Sequence, residues 1–281
     1  MRSVTFEIVE RAEWVTRGDP ALRLPDWPDR PDQSGGLDAA ELREVYAPLA
    51  ALVAERATGD GRASSGPYLV WISGSVAVGK STAARALVAL LEAHDAVGPG
   101  RVAHVATDGF LFPNRVLEAR GIMERKGFPE SFDRPRLQAF LAALRAGDAE
   151  VRAPVYSHEC YDVTDDELVV RDATVVVLEG LPVVDDPVDL GLYLDAAEVD
   201  IESWYVERFL ALRAEAVADE GSFFRTFAGI DQHDAAAIAR AVWTQINVVN
   251  LREHILPARD RAHVVFEKGP DHAVRRVLVR G

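Results

Sequence analysis

The sequence predicts an α/β fold in which a mainly parallel sheet is flanked by helices, and three observations support this prediction. Short apolar runs rich in β-branched and aromatic residues recur along the chain and are typical of buried strands. Segments with apolar residues at helical spacing separate these runs. A glycine-rich segment that also contains a lysine and a serine lies between one such strand and the helical segment after it.

The chain before the first predicted strand has two parts. Residues 17–36 are rich in proline, glycine and aspartate, which indicates irregular structure. A helix is then predicted, with Asp38 as its N-cap and Glu41 three residues later. Pro48 should kink that helix if it continues beyond the proline.

The remaining elements follow from the same two patterns. Strands are predicted at 68–73, 101–107, 168–178, 191–196, 263–268 and 275–280. Helices are predicted at 82–94, 135–147, 198–216 and 234–256. We therefore expect residues 67–281 to form one globular domain, preceded by a helical arm in residues 1–66.

Composition excludes several classes of function. The formal net charge of −14 argues against general nucleic-acid binding, which requires a basic surface. No apolar run is long enough to span a membrane, and the N-terminal residues lack the apolar core of a signal peptide, so we expect a cytoplasmic protein. The single cysteine, Cys160, cannot form an intrachain disulfide.

Lysine is rare in this chain. Only Lys80, Lys126 and Lys268 occur among 31 basic residues. Where arginine is so strongly preferred, a lysine can mark a place that needs a compact ammonium group rather than a planar guanidinium. Chance is the alternative explanation at each of the three positions.

The glycine-rich segment fits the phosphate-binding pattern G-x-x-x-x-G-K-[ST], with a predicted strand before it and a helix after it. We expect its backbone N–H groups to surround the phosphates of a nucleotide, with Lys80 on the β- and γ-phosphates and Ser81 on Mg²⁺. An ordinary glycine-rich turn is the alternative. The pattern predicts a P-loop NTPase fold and assigns nucleotide binding to Gly74, Ser75, Val76, Ala77, Val78, Gly79, Lys80 and Ser81.

Two carboxylates come at the ends of predicted strands, where ligands bind in such sheets. Asp108 follows the strand at 101–107 and could accept the proton of an attacking hydroxyl, or could simply stabilise a turn. Glu179 follows four apolar residues, the position of a carboxylate that binds Mg²⁺ or orients its ligands.

Three further groups are candidates for binding the molecule that would accept a phosphoryl group from the nucleotide. In PVYSHECYD, Tyr156 and His158 share one face of an extended chain and, with Tyr161, could line a pocket for a small polar molecule. Tyr205 and Arg208 share one helix face, where the arginine could neutralise a moving phosphoryl group or lie in solvent. Asn247 lies in an apolar helical segment, where its amide needs a partner in the substrate or the backbone.

Several segments resemble the type I pantothenate kinases, in order from about residue 37 to the end of the chain. They are GSVAVGKST, TDGF-x-x-PN, RGIMERKGFPESFD, PVYSH-x-x-YD, LEG, WY-x-x-RF, IN-x-x-NL, ILP-x-R and GPDHAV. RGIMERKGFPESFD and PVYSH-x-x-YD are far more specific than the phosphate-binding pattern. The resemblance implies phosphorylation of the primary hydroxyl of pantothenate by Mg-ATP, the committed step to coenzyme A, and inhibition by coenzyme A. It also implies a homodimer formed through a long helix next to the phosphate loop.

The resemblance also implies roles for individual residues. Asp108 would be the base, and Lys80 and Arg208 would hold the transferred phosphoryl group. Residues lining the pantothenate site would be Tyr156, His158, Tyr205 and Asn247, with Lys126 closing on it. Arg85 would meet the phosphates of coenzyme A, and His272 would lie by the adenine.

The chain departs from the family pattern at a few places. The segment from Leu181 to Leu192 is shorter than usual, Pro182 replaces a usual asparagine, and Leu212 replaces a frequent phenylalanine. These departures bear on substrate fit and inhibition rather than on the chemistry. Two alternatives stay open: a kinase of the same superfamily that acts on uridine or a sugar phosphate, and a non-catalytic sensor of nucleotide or coenzyme A, which would need no base.

Overall fold

The computed structural model describes residues 5–27, 37–59, 65–184, 186–216 and 223–281. Within these ranges the strands are β1 (Phe6–Val9), β2 (Tyr68–Gly74), β3 (Val102–Ala106), β4 (Glu150–Ser157), β5 (Asp162–Arg171), β6 (Val175–Glu179), β7 (Leu190–Asp195), β8 (Val264–Lys268) and β9 (Val274–Arg280). The central sheet has the order β1-β9-β8-β7-β2-β6-β3. Neighbours from β8 to β3 are parallel, and β9 and β1 extend the sheet in antiparallel pairs. The predicted mainly parallel α/β sheet is confirmed.

Helices cover both faces of this sheet. They are α1 (Arg11–Val15), α2 (Ala39–Glu41), α3 (Ala47–Thr58), α4 (Lys80–Glu92), α5 (Asn114–Ala119), α6 (Arg134–Ala146), α7 (Glu198–Glu215), α8 (Gln232–Val242) and α9 (Val248–Asn250). Single π-helical turns join α2 to α3 and α8 to α9. Along the described ranges, no helix has the length and apolar character needed to cross a membrane.

The two strands that carry the nucleotide-binding motifs are at the centre of the core. Every residue of β2 and of β6 is buried, as expected for parallel strands covered on both faces. The apolar face of α4 packs against β2, β3 and β6 through Ala83, Ala84, Leu87, Leu90 and Leu91. This packing fixes the start of α4 directly above the carboxyl end of β2.

The predicted strand at 168–178 is wrong in its extent. Residues 168–171 belong to β5, which pairs with β4 in a separate two-stranded sheet. The chain then turns at Asp172, whose φ is +49°, and enters β6 at Val175. Aspartate tolerates the left-handed conformation better than most residues, and this single position ends one strand before the next begins.

The N-terminal helix forms much as predicted, with one difference. The side chain of Asp38 accepts a hydrogen bond from Glu41 N at 2.7 Å, which confirms the N-cap. The helix passes Pro48 without ending, and a π-helical turn at Leu42–Tyr46 precedes the proline. Such a turn shifts the hydrogen-bond pattern by one residue, so the backbone adapts to the N–H group that proline lacks.

Part of the arm before this helix is integrated into the fold. β1 pairs with β9 at the edge of the sheet, and Trp14 is buried with its Nε1 donating to Val45 O at 2.9 Å. Residues 17–27 contain no helix or strand. The predicted irregular segment continues into residues 28–36, which lie outside the described ranges.

Candidate active site

The phosphate loop connects β2 to α4 and owes its shape to two glycines. Gly74 has a φ of +146°, and a Cβ there would lie 2.6 Å from Leu194 O. Gly79 has a φ of +96° and is the N-cap of α4. Because only glycine adopts these conformations readily, the loop can turn its N–H groups inward. Lys80 Nζ folds back over the loop and donates to Ser75 O at 2.8 Å.

A hydroxyl and a carboxylate meet at the start of α4. Ser81 Oγ donates to Glu179 Oε2 at 3.0 Å, and His104 Nε2 lies 3.5 Å from the other carboxylate oxygen. Burial raises the pKa of Glu179, but His104, Lys80 and Ser81 together hold it below its ordinary value. Glu179 is therefore ionised, and the two oxygen donors fit the preference of Mg²⁺ for oxygen ligands.

Two glycines that closely approach a neighbouring oxygen, one of the backbone and one of a side chain, hold the turn that carries Asp108. This turn, Thr107–Phe110, follows β3. A Cβ at Gly109 would lie 2.0 Å from Pro154 O of β4, and a Cβ at Gly180 would lie 2.0 Å from Thr107 Oγ1. Larger residues would not fit at either glycine. The turn is thus clamped between β4 on one side and the end of β6 on the other.

Asp108 lies at the centre of a group of charged side chains. Burial raises the pKa of Asp108, the ammonium of Lys80 opposes the rise, and the carboxylate of Glu179 adds to it. The charge of Lys126 also favours the ionised form, and so does that of His158 when its imidazole is protonated. Asp108 therefore combines a position beside the phosphate loop with a proton affinity above that of an exposed aspartate, as a general base requires.

Tyr156 and His158 lie together, as their alternation predicts, and Tyr161 joins them. The rings of Tyr156 and His158 are 5.2 Å apart between centroids, and Tyr156 and Tyr161 are 6.2 Å apart. Tyr161 has a φ of +53° and stacks on Phe223 at 4.5 Å. Burial lowers the pKa of His158, so its imidazole is neutral at neutral pH.

Lys126 occupies a cage between these rings. Its Nζ lies 3.9 Å from the ring centroid of Tyr161 and 5.0 Å from that of Tyr156. It donates to Asn114 Oδ1 at 2.7 Å and also to Tyr161 O. Burial lowers the pKa of Lys126 to about 8, although Asp162 and Asp108 oppose this shift. The structure thus places a readily titratable ammonium beside Asp108.

The two helices after β7 supply the other candidate residues. Burial raises the pKa of the Tyr205 hydroxyl, and neighbouring Asn247 and Arg208 oppose that rise. The charge of Arg208 also lowers the pKa of Lys80 and of His158, so its guanidinium lies close to both residues. Asn247 Nδ2 is buried and makes no hydrogen bond of regular geometry among the described residues, although the Asn247 amide interacts with the Tyr205 hydroxyl. A buried amide donor of this kind needs an acceptor from a ligand or water.

The two residues expected near a bound nucleotide or inhibitor lie at the margin of this site. Arg85 is exposed on α4, and its Nη2 lies 3.4 Å from Thr82 Oγ1. The ring of His272 stacks on Trp204 with centroids 3.8 Å apart. His272 has a φ of +64°, in the turn between β8 and β9.

Sequence reasoning missed several residues that support the site. Asn114 N donates to Asp162 Oδ1 at 2.9 Å, and Asn114 Nδ2 donates to Tyr161 O at 3.0 Å. Asn250 Nδ2 donates to Gly127 O at 2.8 Å and so anchors the segment next to Lys126. Both asparagines stand in segments that carry the family resemblance, TDGF-x-x-PN and IN-x-x-NL, and that was the available signal. Nothing in the sequence pointed to Phe223.

Comparison with known proteins decides which family this site belongs to. The model of the phosphoribulokinase / uridine kinase family matches residues 69–215. A pantothenate kinase from Myxococcus xanthus is 46% identical over 272 residues, covering 87% of this chain and 85% of its own. A pantothenate kinase from Sorangium cellulosum is 51% identical over 228 residues, covering 76% and 73%. This chain belongs to the pantothenate kinase family.

Solved structures agree with this assignment at the level of the fold. A candidate fructose transport system kinase from Silicibacter has a TM-score of 0.56 and 27% identity, covering 73% of this chain and 92% of its own. A circularly permuted candidate P-loop kinase from Saccharomyces cerevisiae has a TM-score of 0.54 at 14% identity, covering 74% and 94%. The predictions of a P-loop kinase fold and of an enzyme are confirmed.

Proposed function

We propose that this protein transfers the γ-phosphoryl group of ATP to the primary hydroxyl of pantothenate. The observation that carries the proposal is the placement of Asp108 beside Lys80 of the phosphate loop and next to the Tyr156–His158 pocket. A base, a phosphate-binding loop and a pocket for an organic acceptor are the parts that phosphoryl transfer to an alcohol requires. The names of the relatives support pantothenate as that acceptor.

In the proposed reaction Asp108 accepts the proton of the substrate hydroxyl as its oxygen attacks the γ-phosphorus. The new O–P bond forms while the bond from the γ-phosphorus to the β-γ bridging oxygen breaks, and ADP leaves with that electron pair. Lys80 and Arg208, whose positive charges lie close together, would neutralise the negative charge of the phosphoryl oxygens. Mg²⁺ held by Ser81 and Glu179 would shield the charge of the β- and γ-phosphates.

The pocket has groups suited to the polar atoms of pantothenate. Asn247 Nδ2 is buried and makes no hydrogen bond of regular geometry among the described residues, so an amide or hydroxyl oxygen of the substrate would satisfy it. Lys126 uses two of its three N–H groups on Asn114 and Tyr161, which leaves one for an oxygen of the substrate. Tyr205 and Tyr161 would line the aliphatic part of the pocket.

The proposed role of Lys126 predicts a pH dependence. The pKa of Lys126 is about 8, so its positive charge is present below that pH and lost above it. The KM for pantothenate should therefore rise between about pH 7 and pH 9, while the KM for ATP changes little. In K126M the KM for pantothenate should be high and independent of pH over that range. A wild-type KM for pantothenate that stays flat would contradict the role of Lys126.

We also propose inhibition by coenzyme A, which shares the phosphates and pantothenate moiety that this site would recognise. Arg85, on the exposed start of α4, would meet its phosphates, and His272 would lie by the adenine of the bound nucleotide. Two further features stay predictions: a homodimer formed through a long helix next to the phosphate loop, which the resemblance implies, and a cytoplasmic location, which the sequence pattern suggests.

The test of the proposed function is the release of ADP from Mg-ATP with pantothenate, uridine, a sugar phosphate or no acceptor. Each reaction is run with and without coenzyme A. We expect ADP to form only with pantothenate and coenzyme A to suppress it. ADP formed with another acceptor would show that the protein is a kinase and would contradict pantothenate as its substrate. Nucleotide binding without turnover on any acceptor would instead favour the sensor.

A further inference from the structure

Lys268, the last residue of β8, contacts the phosphate loop from outside. Its Nζ donates to the carbonyl oxygen of Val78 at 3.0 Å, across 190 residues of sequence. Val78 immediately precedes Gly79, and a Cβ at Gly79 would lie 3.2 Å from the same Nζ. The ammonium group is therefore packed directly on the backbone of the loop.

This contact fixes the orientation of one peptide group. The carbonyl of Val78 and the N–H of Gly79 belong to the same planar trans peptide, so they point to opposite sides of the chain. A cation that holds the carbonyl outward turns the N–H toward the concave side of the loop, where phosphate oxygens bind. Gly79 offers little resistance to rotation of this peptide, because glycine adopts many backbone conformations.

The surroundings of Lys268 suit an ammonium group. The carboxylate of Glu41, itself only 8% exposed, accepts a hydrogen bond from Val274 N at 3.0 Å. Burial raises the pKa of Glu41, while the Val274 N–H and then the charge of Lys268 oppose that rise. On another side, the ring centroid of Trp204 lies 5.9 Å from Nζ. A guanidinium is larger and planar, and it would not fit between the loop and these neighbours.

We propose that Lys268 is a positioning residue for the triphosphate. It holds the Val78–Gly79 peptide with its N–H toward the phosphates and adds positive charge behind the loop. Glu41, on the N-terminal helix, balances that charge when the site is empty. The inference rests on the proposed use of a nucleoside triphosphate by the loop and is independent of which acceptor is phosphorylated.

The test compares the binding of Mg-ATP to wild type, K268M and K268R by calorimetry without an acceptor, followed by kcat and KM for both substrates. K268M should bind Mg-ATP about tenfold more weakly, with the KM for ATP raised and the KM for pantothenate unchanged. K268R should not restore binding. R276M, which removes an exposed cation from the adjacent strand, is the matched control and should behave as wild type.

Two further measurements separate positioning from folding. The double variant E41Q/K268M removes the charge of Lys268 together with that of the buried Glu41 carboxyl group. The amide oxygen introduced by E41Q can still accept from Val274 N, so this variant should fold as wild type and still bind Mg-ATP weakly. Wild-type affinity for Mg-ATP in K268M or in the double variant would overturn the proposal. The loss of Mg-ATP affinity would support it even if the wild type failed to phosphorylate pantothenate, and that failure would overturn the proposed function alone.

Discussion

Replacing Asp108 by asparagine is expected to lower kcat by about 10²–10⁴-fold, the usual contribution of a general base. Asparagine has nearly the same shape as aspartate, so the clamped turn between β4 and β6 should be preserved. Asparagine cannot accept the proton of the substrate hydroxyl, so turnover should fall while binding of Mg-ATP is retained. Steady-state kinetics measure the turnover, and calorimetric titration measures the binding of Mg-ATP.

The control for this substitution is D165N, which makes the same change on the exposed part of β5. It should leave both kcat and nucleotide binding as in the wild type. The wild type should also lose activity at acidic pH, because the base is protonated as the pH falls through the raised pKa of Asp108. Retention of turnover in D108N would show that another group is the base.

Replacing Lys80 by methionine is expected to lower kcat/KM for ATP by about 10²–10³-fold, because the positive charge that stabilises the transferred phosphoryl group is lost. Burial lowers the pKa of Lys80, but Glu179 and Asp108 favour its charged form. In contrast to D108N, K80M should weaken Mg-ATP binding as well as turnover. The difference between the two variants separates phosphate binding from proton transfer.

K80R and R240M complete this comparison. K80R keeps the charge but should not restore activity, since the short reach from Lys80 Nζ to Ser75 O shows that the loop encloses a compact ammonium. R240M removes an exposed cation of α8 and should have no effect. Near wild-type kcat/KM in K80M would mean that the loop does not hold the transferred phosphoryl group.

The parts of the site that are local in sequence could be predicted. Strand, glycine-rich loop and helix follow one another between Tyr68 and Glu92, and each leaves its own periodicity or motif. The same is true of Glu179, the last residue of β6, and of Asp108, two residues after the end of β3. Parallel sheets bring the carboxyl ends of their strands to one edge, so the topology alone predicts that Asp108 and Glu179 lie near the phosphate loop.

The parts that depend on contacts between distant segments could not be predicted. β1 pairs with β9 from the opposite end of the chain, and neither strand specifies the other by its pattern. Gly109 has an ordinary negative φ, and only the approach of Pro154 O explains why no side chain fits there. The aromatic contact of Phe223 with Tyr161 likewise forms only after folding.

The rarity of lysine was a signal whose meaning became clear only in the structure. Lys80 lies in the phosphate loop, Lys126 lies in an aromatic cage beside Asp108, and Lys268 binds the loop from behind. Each contacts a backbone carbonyl at short range. A small ammonium group suits such positions better than a guanidinium, which accounts for all three in an otherwise arginine-rich chain.

Phosphoryl transfer to pantothenate is tested by identifying the phosphorylated product. Purified protein is incubated with Mg-ATP and pantothenate, and the product is analysed by mass spectrometry and phosphorus NMR. We expect one added phosphoryl group, with the phosphorus coupled to the protons of the primary alcohol carbon. D108N should form product at least about 10²-fold more slowly under the same conditions. If pantothenate stays unmodified although the protein is folded and binds Mg-ATP, the proposed function is contradicted.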